Sequence, residues 1–434
     1  MSITLTTVIL FAVFGVLLFL GMPISISIVV SSIVTAMSTL SWDQITFITM
    51  QKMNSGVESF SLLAVPLFIL AGNIMNNGGI AKRLVNFAQL FVGKIPGSMA
   101  QANILGNMLF GALSGSSVAA ASAMGGCISP IEEENGYDPA YSAAANIASA
   151  PTGLLIPPTS AFIVYSTVAG GVSISTLFMA GYIPGIIWAL CCCVVGVLLA
   201  VKLGYKGTPG KFDWKNLGVC TLRALPSLSL IIVVIGGIIG GVFSATEGSA
   251  IAVVYALILA FCYRSINLKS LWKIIVDSAK MSGMVVFLVG VSNILGWVMA
   301  FLQIPDAVAA ALLSLTSNKY IILLIMNVIL LVSGTFMDVT PAILIFTPLF
   351  LPICQSFGMS TIQFGLILVY NLCIGNITPP VGNALFVGIK VGRTSLSKVM
   401  PYMLMYYVAI IGGLLLVTFI PAVSTALPQA MGLM

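Results

Sequence analysis

The residues of this chain that are equipped to hold an ion are hydroxyls, amides and bare carbonyls, gathered at a few places in otherwise apolar sequence. One group is Ser114-Gly115-Ser116-Ser117, and another is Ser333-Gly334-Thr335 with Asp338 just beyond it. Two more stretches read Asn146-Ile-Ala-Ser-Ala-Pro151-Thr-Gly-Leu-Leu-Ile-Pro157-Pro158-Thr159-Ser160 and Asn371-Leu-Cys-Ile-Gly375-Asn376-Ile-Thr378-Pro379-Pro380-Val-Gly382-Asn383. Their doubled prolines stand 222 residues apart. A bilayer holds no water to satisfy a freed carbonyl, so a Pro-Pro break at that depth must line a cavity or an ion. Neutral oxygens with few carboxylates suit a weakly held, releasable Na+ better than a tight divalent site.

We assign one Na+ to Ser114, Gly115 and Ser116 with Ala148, Ser149, Ala150 and Thr152. A second goes to Ser333, Gly334 and Thr335 with Gly375, Asn376 and Thr378. Small residues alone would merely let helices pack closely, but their pairing with two Pro-Pro breaks favours ion binding. Beyond each break a helix starts, with free N–H groups and a positive dipole end. Thr159, Ser160, Gly382 and Asn383 lie there, and Ser116, Ser117 and Asp338 complete a pocket for an organic anion. A charge at mid-bilayer costs about 2.5–3.5 kcal/mol on insertion scales, which makes Asp338 a functional candidate. Its blander role is to cap the helix starting near Thr340-Pro341.

Other candidates read as structure. Ser244-Ala-Thr-Glu247 fits a helix capping box. Glu132-Glu133-Glu134 with Asp138 fits a solvated helix start in a loop. The chain has no histidine, which removes His-based catalysis, His-ligated metals and haem. Its eight cysteines form no C-x-x-C pair and read as small apolar filler. No G-x-x-x-x-G-K-[ST] motif is present, so transport would draw on an ion gradient. A channel or a membrane enzyme is the alternative class. Closed hairpins argue against the first, and the lack of His or clustered carboxylates against the second.

The elements that must position these groups are membrane helices. Only 6% of residues are charged and 59% are hydrophobic, against about 25% charged in soluble domains. Apolar runs of spanning length recur at 3–20, 24–41, 60–78, 140–166, 175–201, 224–243, 248–263, 281–302, 361–389 and 399–422. The first reads as a retained helix rather than a signal peptide. Stretches 98–130 and 320–354 are apolar but broken by small and polar residues, and read as re-entrant hairpins. With the N-terminus outside, 15 of the 17 basic residues become cytoplasmic, leaving Lys52 and Lys319 outside. The positive-inside rule favours that solution, and the net charge of +6 is a topology signal, not a nucleic-acid one.

Matches at near-constant spacing divide the chain into residues 1–206, a cytoplasmic linker 207–222, and residues 223–434. They pair Gly21 with Gly241, Gly72 with Gly296, and Ser114-Gly115 with Ser333-Gly334. The copies start on opposite sides, so they are inverted repeats, and both termini are periplasmic. The first hairpin opens to the cytoplasm and the second to the outside. Short amphipathic stretches at 81–91 and 305–315 lie along the interface before each hairpin.

Taken in order, these motifs resemble the large membrane subunit of tripartite ATP-independent periplasmic (TRAP) transporters. The matching pieces are Gly115–Ser117, Ile156–Ser160, Gly241–Glu247, Gly334–Asp338 and Asn376–Pro380. The resemblance implies an all-α elevator transporter in the bacterial inner membrane, importing a C4-dicarboxylate, sialic acid or other sugar acid with Na+. It implies a separate small four-helix membrane subunit and a periplasmic substrate-binding protein as partners. A stand-alone divalent anion/sodium symporter is the runner-up.

Overall fold

The computed structural model describes residues 3–207, 214–316 and 318–434. Among them every regular element is a helix. Seven helices are long and apolar enough to cross a bilayer, or eight if the bent pair Pro139–Leu155 and Ser160–Val168 is one span. The ten predicted runs therefore fold unequally. Ile3–Phe19 and Ile24–Ala36 are apolar but hold only 17 and 13 residues, short of the roughly 20 that a straight span needs. The run 361–389 splits into Thr361–Asn376 and Asn383–Val391. Leu268–Phe301 starts well before the predicted 281 and reaches about 51 Å at 1.5 Å per residue. Residues 208–213 of the predicted linker lie outside the described residues, and from Trp214 the chain is already in helix Trp214–Ile239.

Each predicted hairpin stretch folds as two helices joined by a short turn. Hairpin 1 pairs Ser98–Ser114 with Ser117–Glu134, and hairpin 2 joins Lys319–Phe336 to Val339–Ser356. Hairpin 1 turns at Gly115, whose φ of +61° would strain any side chain, and at the extended Ser116. Hairpin 2 turns at Met337 and Asp338, both extended. Gly334 does not match Gly115 in the fold: it is buried inside the first leg, short of the turn. Met337 takes the place of Gly115 at a spacing of 222 residues, the same as the doubled prolines.

The first leg of each hairpin lies along the proline-broken helix that follows it in the chain. The second legs cross over. Ser117–Glu134 packs on Asn383–Val391, and Val339–Ser356 packs on Ser160–Val168. Glycine permits the first-leg contacts. A Cβ on Gly111 would stand 2.4 Å from the Cα of Gly153, and one on Gly375 would stand 2.3 Å from the carbonyl carbon of Gly334. Buried amides pair beside both contacts: Asn107 donates to Asn146 Oδ1 at 3.0 Å, and Asn371 to Asn327 Oδ1 at 2.9 Å. Such pairing offsets part of the cost of burying an amide among apolar side chains, although Asn107 Oδ1 and Asn371 Oδ1 keep no partner.

The two amphipathic stretches are helices Ile80–Val92 and Ile304–Leu315, each entered through a left-handed residue, Gly79 or Gln303. The capping box forms at Ala245–Cys262: Ser244 Oγ accepts from the Glu247 N–H at 3.2 Å, and Glu247 Oε2 accepts from the Ser244 N–H at 2.7 Å. The acidic run departs from its solvated reading. It ends a helix rather than starting one, and Glu132 is buried while Glu133 and Glu134 are exposed. Asp138 alone starts a helix, its Oδ1 accepting from the Ala140 N–H at 3.0 Å.

Candidate functional site

Four helices begin around one cavity of about 420 Å³: Ser117–Glu134, Ser160–Val168, Val339–Ser356 and Asn383–Val391. Each start leaves backbone N–H groups without an intrahelical partner and carries roughly half a positive charge. The lining, among the described residues, holds no Lys or Arg and one carboxylate, Asp338. The positive partial charge in the cavity therefore comes from backbone rather than from side chains. Two cap side chains organise it. Ser116 Oγ accepts from the Ala119 N–H at 3.3 Å, and Thr159 Oγ1 from the Ala161 N–H at 3.1 Å.

Of the residues expected to hold the anion, Ser116, Ser117, Ser160, Asp338 and Asn383 line the cavity. Thr159 and Gly382 stand behind it as the residues from which Ser160–Val168 and Asn383–Val391 start. Asp338 occupies the cap position of its helix, yet its carboxylate caps nothing. Its Oδ1 instead accepts from Asn383 Nδ2 at 3.3 Å, joining the turn of hairpin 2 to the helix beyond Pro380. Both residues are exposed to the cavity.

The predicted ion ligands divide. Ser114, Gly115 and Ser116 line the cavity, but Ala148, Ser149, Ala150 and Thr152 are buried behind it and already bonded. The Ala148 carbonyl accepts from Trp188 Nε1 at 2.8 Å, and that of Ala150 from the Gly153 N–H at 3.2 Å. The Ser149 carbonyl accepts from Thr152 Oγ1 at 2.7 Å, and Ser149 Oγ lies 2.9 Å from Asn107 Nδ2. Gly115 abuts Pro158 and Thr159, while Gly111, one turn earlier, is the residue against Thr152 and Gly153.

The second set converges more closely. The Gly334 carbonyl oxygen points at Gly375, and the Thr335 carbonyl accepts from the Val381 N–H at 3.1 Å. Thr378 Oγ1 donates to the Ile374 carbonyl at 2.6 Å, and the Ser333 carbonyl accepts from the Met337 N–H. Asn376 links the two halves: its Nδ2 donates to Ser117 Oγ at 2.7 Å, and its Oδ1 accepts from the Ala384 N–H at 3.2 Å. It lines the cavity as well.

One wall was not foreseen. Phe68, Gly72, Asn73 and Asn76 of Ala64–Asn77, with Met281 and Val285 of Leu268–Phe301, close the cavity opposite the hairpin tips. A Cβ on Gly72 would come within 2.6 Å of the Ser114 carbonyl oxygen, so this glycine admits the tip of hairpin 1. Asn73 Nδ2 donates to Ser278 Oγ at 2.8 Å across the wall. The available signal was three asparagines, 73, 76 and 77, in an apolar helix.

The described helices form an all-helical membrane fold with one cavity where four helix starts meet. The crystal structure of the Alcanivorax borkumensis YdaH transporter shares the fold at a TM-score of 0.65, covering 87% of this chain and 89% of that one. At 13% identity the likeness is one of fold. The family description "Tripartite ATP-independent periplasmic transporter, DctM component" matches residues 11–423. The chain belongs to this family, and is a transport protein rather than an enzyme. An "Uncharacterized protein YgiK" of Salmonella typhimurium is 48% identical, over 97% of each chain. An "Isethionate TRAP transporter permease protein DctMQ" of Oleidesulfovibrio alaskensis is 36% identical, over 96% of this chain and 65% of its own length. A "C4-dicarboxylate TRAP transporter large permease protein DctM" of Rhodobacter capsulatus is 31% identical, over 99% and 100%.

Proposed function

We propose that this protein is the large permease of a Na+-coupled importer for an organic anion, delivered by a periplasmic binding protein. The observation that carries the reading is the cavity where four helix starts meet without a cationic side chain. Backbone N–H groups there hold a carboxylate or sulfonate, and Asp338 with Asn383 takes its hydroxyl or amide groups. The substrate names that relatives carry, isethionate, C4-dicarboxylate and sialic acid, all belong to organic anions. A small separate membrane subunit and the binding protein complete the assembly in the bacterial inner membrane, with both termini periplasmic.

Na+ is coupled through the turns. The carbonyl oxygens of Gly334 and Thr335 with Gly375 to Thr378 form one site, and Ser114 to Ser116 form the other. In the first half, the carbonyls of 148–152 must give up part of their present bonding before they help hold the ion. The two halves act as inverted repeats, and the hairpins and broken helices move as an elevator against a frame that includes Leu268–Phe301.

Reconstituted uptake decides the matter. Proteoliposomes holding this chain and its small subunit take up the anion only with an inward Na+ gradient and the binding protein present. Uptake that survives omission of the binding protein points to a stand-alone symporter, and uptake indifferent to Na+ overturns the coupling.

A further inference from the structure

The base of hairpin 1 carries an acid that the transport cavity does not use. Glu132 is 1% exposed. Neither of its carboxylate oxygens has a hydrogen-bond partner, and the same holds for the buried hydroxyls of Ser142 and Tyr406. Glu132 sits in the last turn of Ser117–Glu134, where the carbonyl end of a helix disfavours negative charge. Its own carbonyl already accepts from the N–H groups of Asn135 and Tyr137.

Among the described residues, the groups around it offer no counter-charge. Tyr137 faces it from the following loop, Tyr141 and Ser142 from Pro139–Ser149, and Tyr406 from Leu396–Phe419. Tyr205 and Tyr402 close the ring around Tyr141. Asp138 is held by Tyr402, whose hydroxyl donates to Oδ2 at 2.7 Å. Ser98–Ser114, packed on the same leg, contains no acid or base. Arg83 of Ile80–Val92 is committed elsewhere, 3.4 Å above the Tyr263 ring. On Asn383–Val391 Lys390 is exposed, and Arg393 beyond it lines an adjoining cavity of about 170 Å³ with Glu133, Tyr137 and Ser142. A bare carboxylate in such a setting takes up a proton rather than stay charged. Burial pushes the Glu132 carboxyl up to about 8.

We propose that Glu132 is a proton-binding site that fastens the base of hairpin 1. The carboxyl is neutral while the leg is seated among the tyrosines, and it releases its proton when the base separates from Pro139–Ser149 and meets water. This site is independent of which ion drives transport, and its test needs no substrate.

The test is an infrared titration of the purified protein carrying isotope-labelled glutamate. Glu58, Glu133, Glu134 and Glu247 are exposed, so at neutral pH one labelled glutamate alone keeps the carbonyl band of a protonated acid. That band falls to half near pH 8, is lost above it, and is missing from Glu132→Gln. Absence of the band at neutral pH in the wild type overturns the proposal, whether or not the variant folds. So does its persistence in Glu132→Gln. In parallel, the thermal midpoint of the wild type falls as pH rises toward 8 and levels off beyond, while that of Glu132→Gln keeps flat. A fall of equal size in both proteins also overturns it.

Discussion

The two hairpins solve one backbone problem with different chemistry. Hairpin 1 is enclosed: its first leg is buried along nearly its whole length, and its turn is a glycine pressed against Pro158 and Thr159. The polar side chains at its tip are neutral hydroxyls, and one of them, Ser117, is tied to Asn376 of the other half. Hairpin 2 is open on one side. Ile321, Leu324, Val328, Val332 and Phe336 of its first leg are exposed apolar side chains, and its turn presents a carboxylate. Similar glycine and asparagine contacts seat both first legs. The scaffold is thus shared, while the one charge of the cavity comes from the less enclosed partner, where an unpaired acid costs less.

The largest effect should come from that charge. Asp338→Asn is expected to lower uptake about tenfold to a hundredfold, as loss of a charged hydrogen bond worth about 1.5–3 kcal/mol implies, with expression unchanged. Ser116→Ala should cost less. Equal losses in initial-rate uptake at the two turns would dissolve the contrast between hairpins.

The glycine contacts should instead behave alike. Gly153→Ala and Gly375→Ala each force a Cβ into backbone of the facing leg, at a cost of about 1–3 kcal/mol for overpacking. Thermal unfolding in detergent reads both, and a loss in one half only would mean that the hairpins are seated differently. The bridge between halves is smaller. Ser117→Ala leaves the Asn376 amide unsatisfied, for about 1–3 kcal/mol, and the coupling in a double cycle with Asn376→Ala should be near 1 kcal/mol.

The most gradual effect is a slope with pH, which accumulates over several pH units. The Glu132 carboxyl is raised in the folded protein to about 8, so its stabilising contribution is complete below the ordinary carboxylate range. Stability then falls by up to about 1.4 kcal/mol per pH unit until the folded value is reached. Chemical unfolding midpoints across that window measure it, and Glu132→Gln removes it.

Much of this was legible because local rules left little choice. A doubled proline cannot continue a helix, so both breaks stood in the sequence. The capping box at Ser244 and Glu247 formed as written, because its four residues satisfy each other. The amphipathic helices before the hairpins followed from charge and length. Register was less legible: Ser333-Gly334 reads like Ser114-Gly115, yet the chain turns at Met337 and Asp338. A short Gly-Ser step serves equally as a turn or as a flat face for another backbone, and only the neighbour at Gly375 settles which.

By itself, then, the sequence determined an all-helical membrane protein, two broken helices, two hairpins and the family to which it belongs. Composition, proline and hydrophobic run length act along the chain and need no knowledge of what folds against them. Tertiary structure alone decided that four helix starts share one cavity and that the asparagine wall of Ala64–Asn77 closes it. It also decided that Asp338 turns to Asn383 rather than to its own helix, and that Glu132 is buried while Glu133 is not. Each of these depends on which surfaces meet across more than a hundred residues or on which side of a helix a neighbour lies, and no local propensity encodes that.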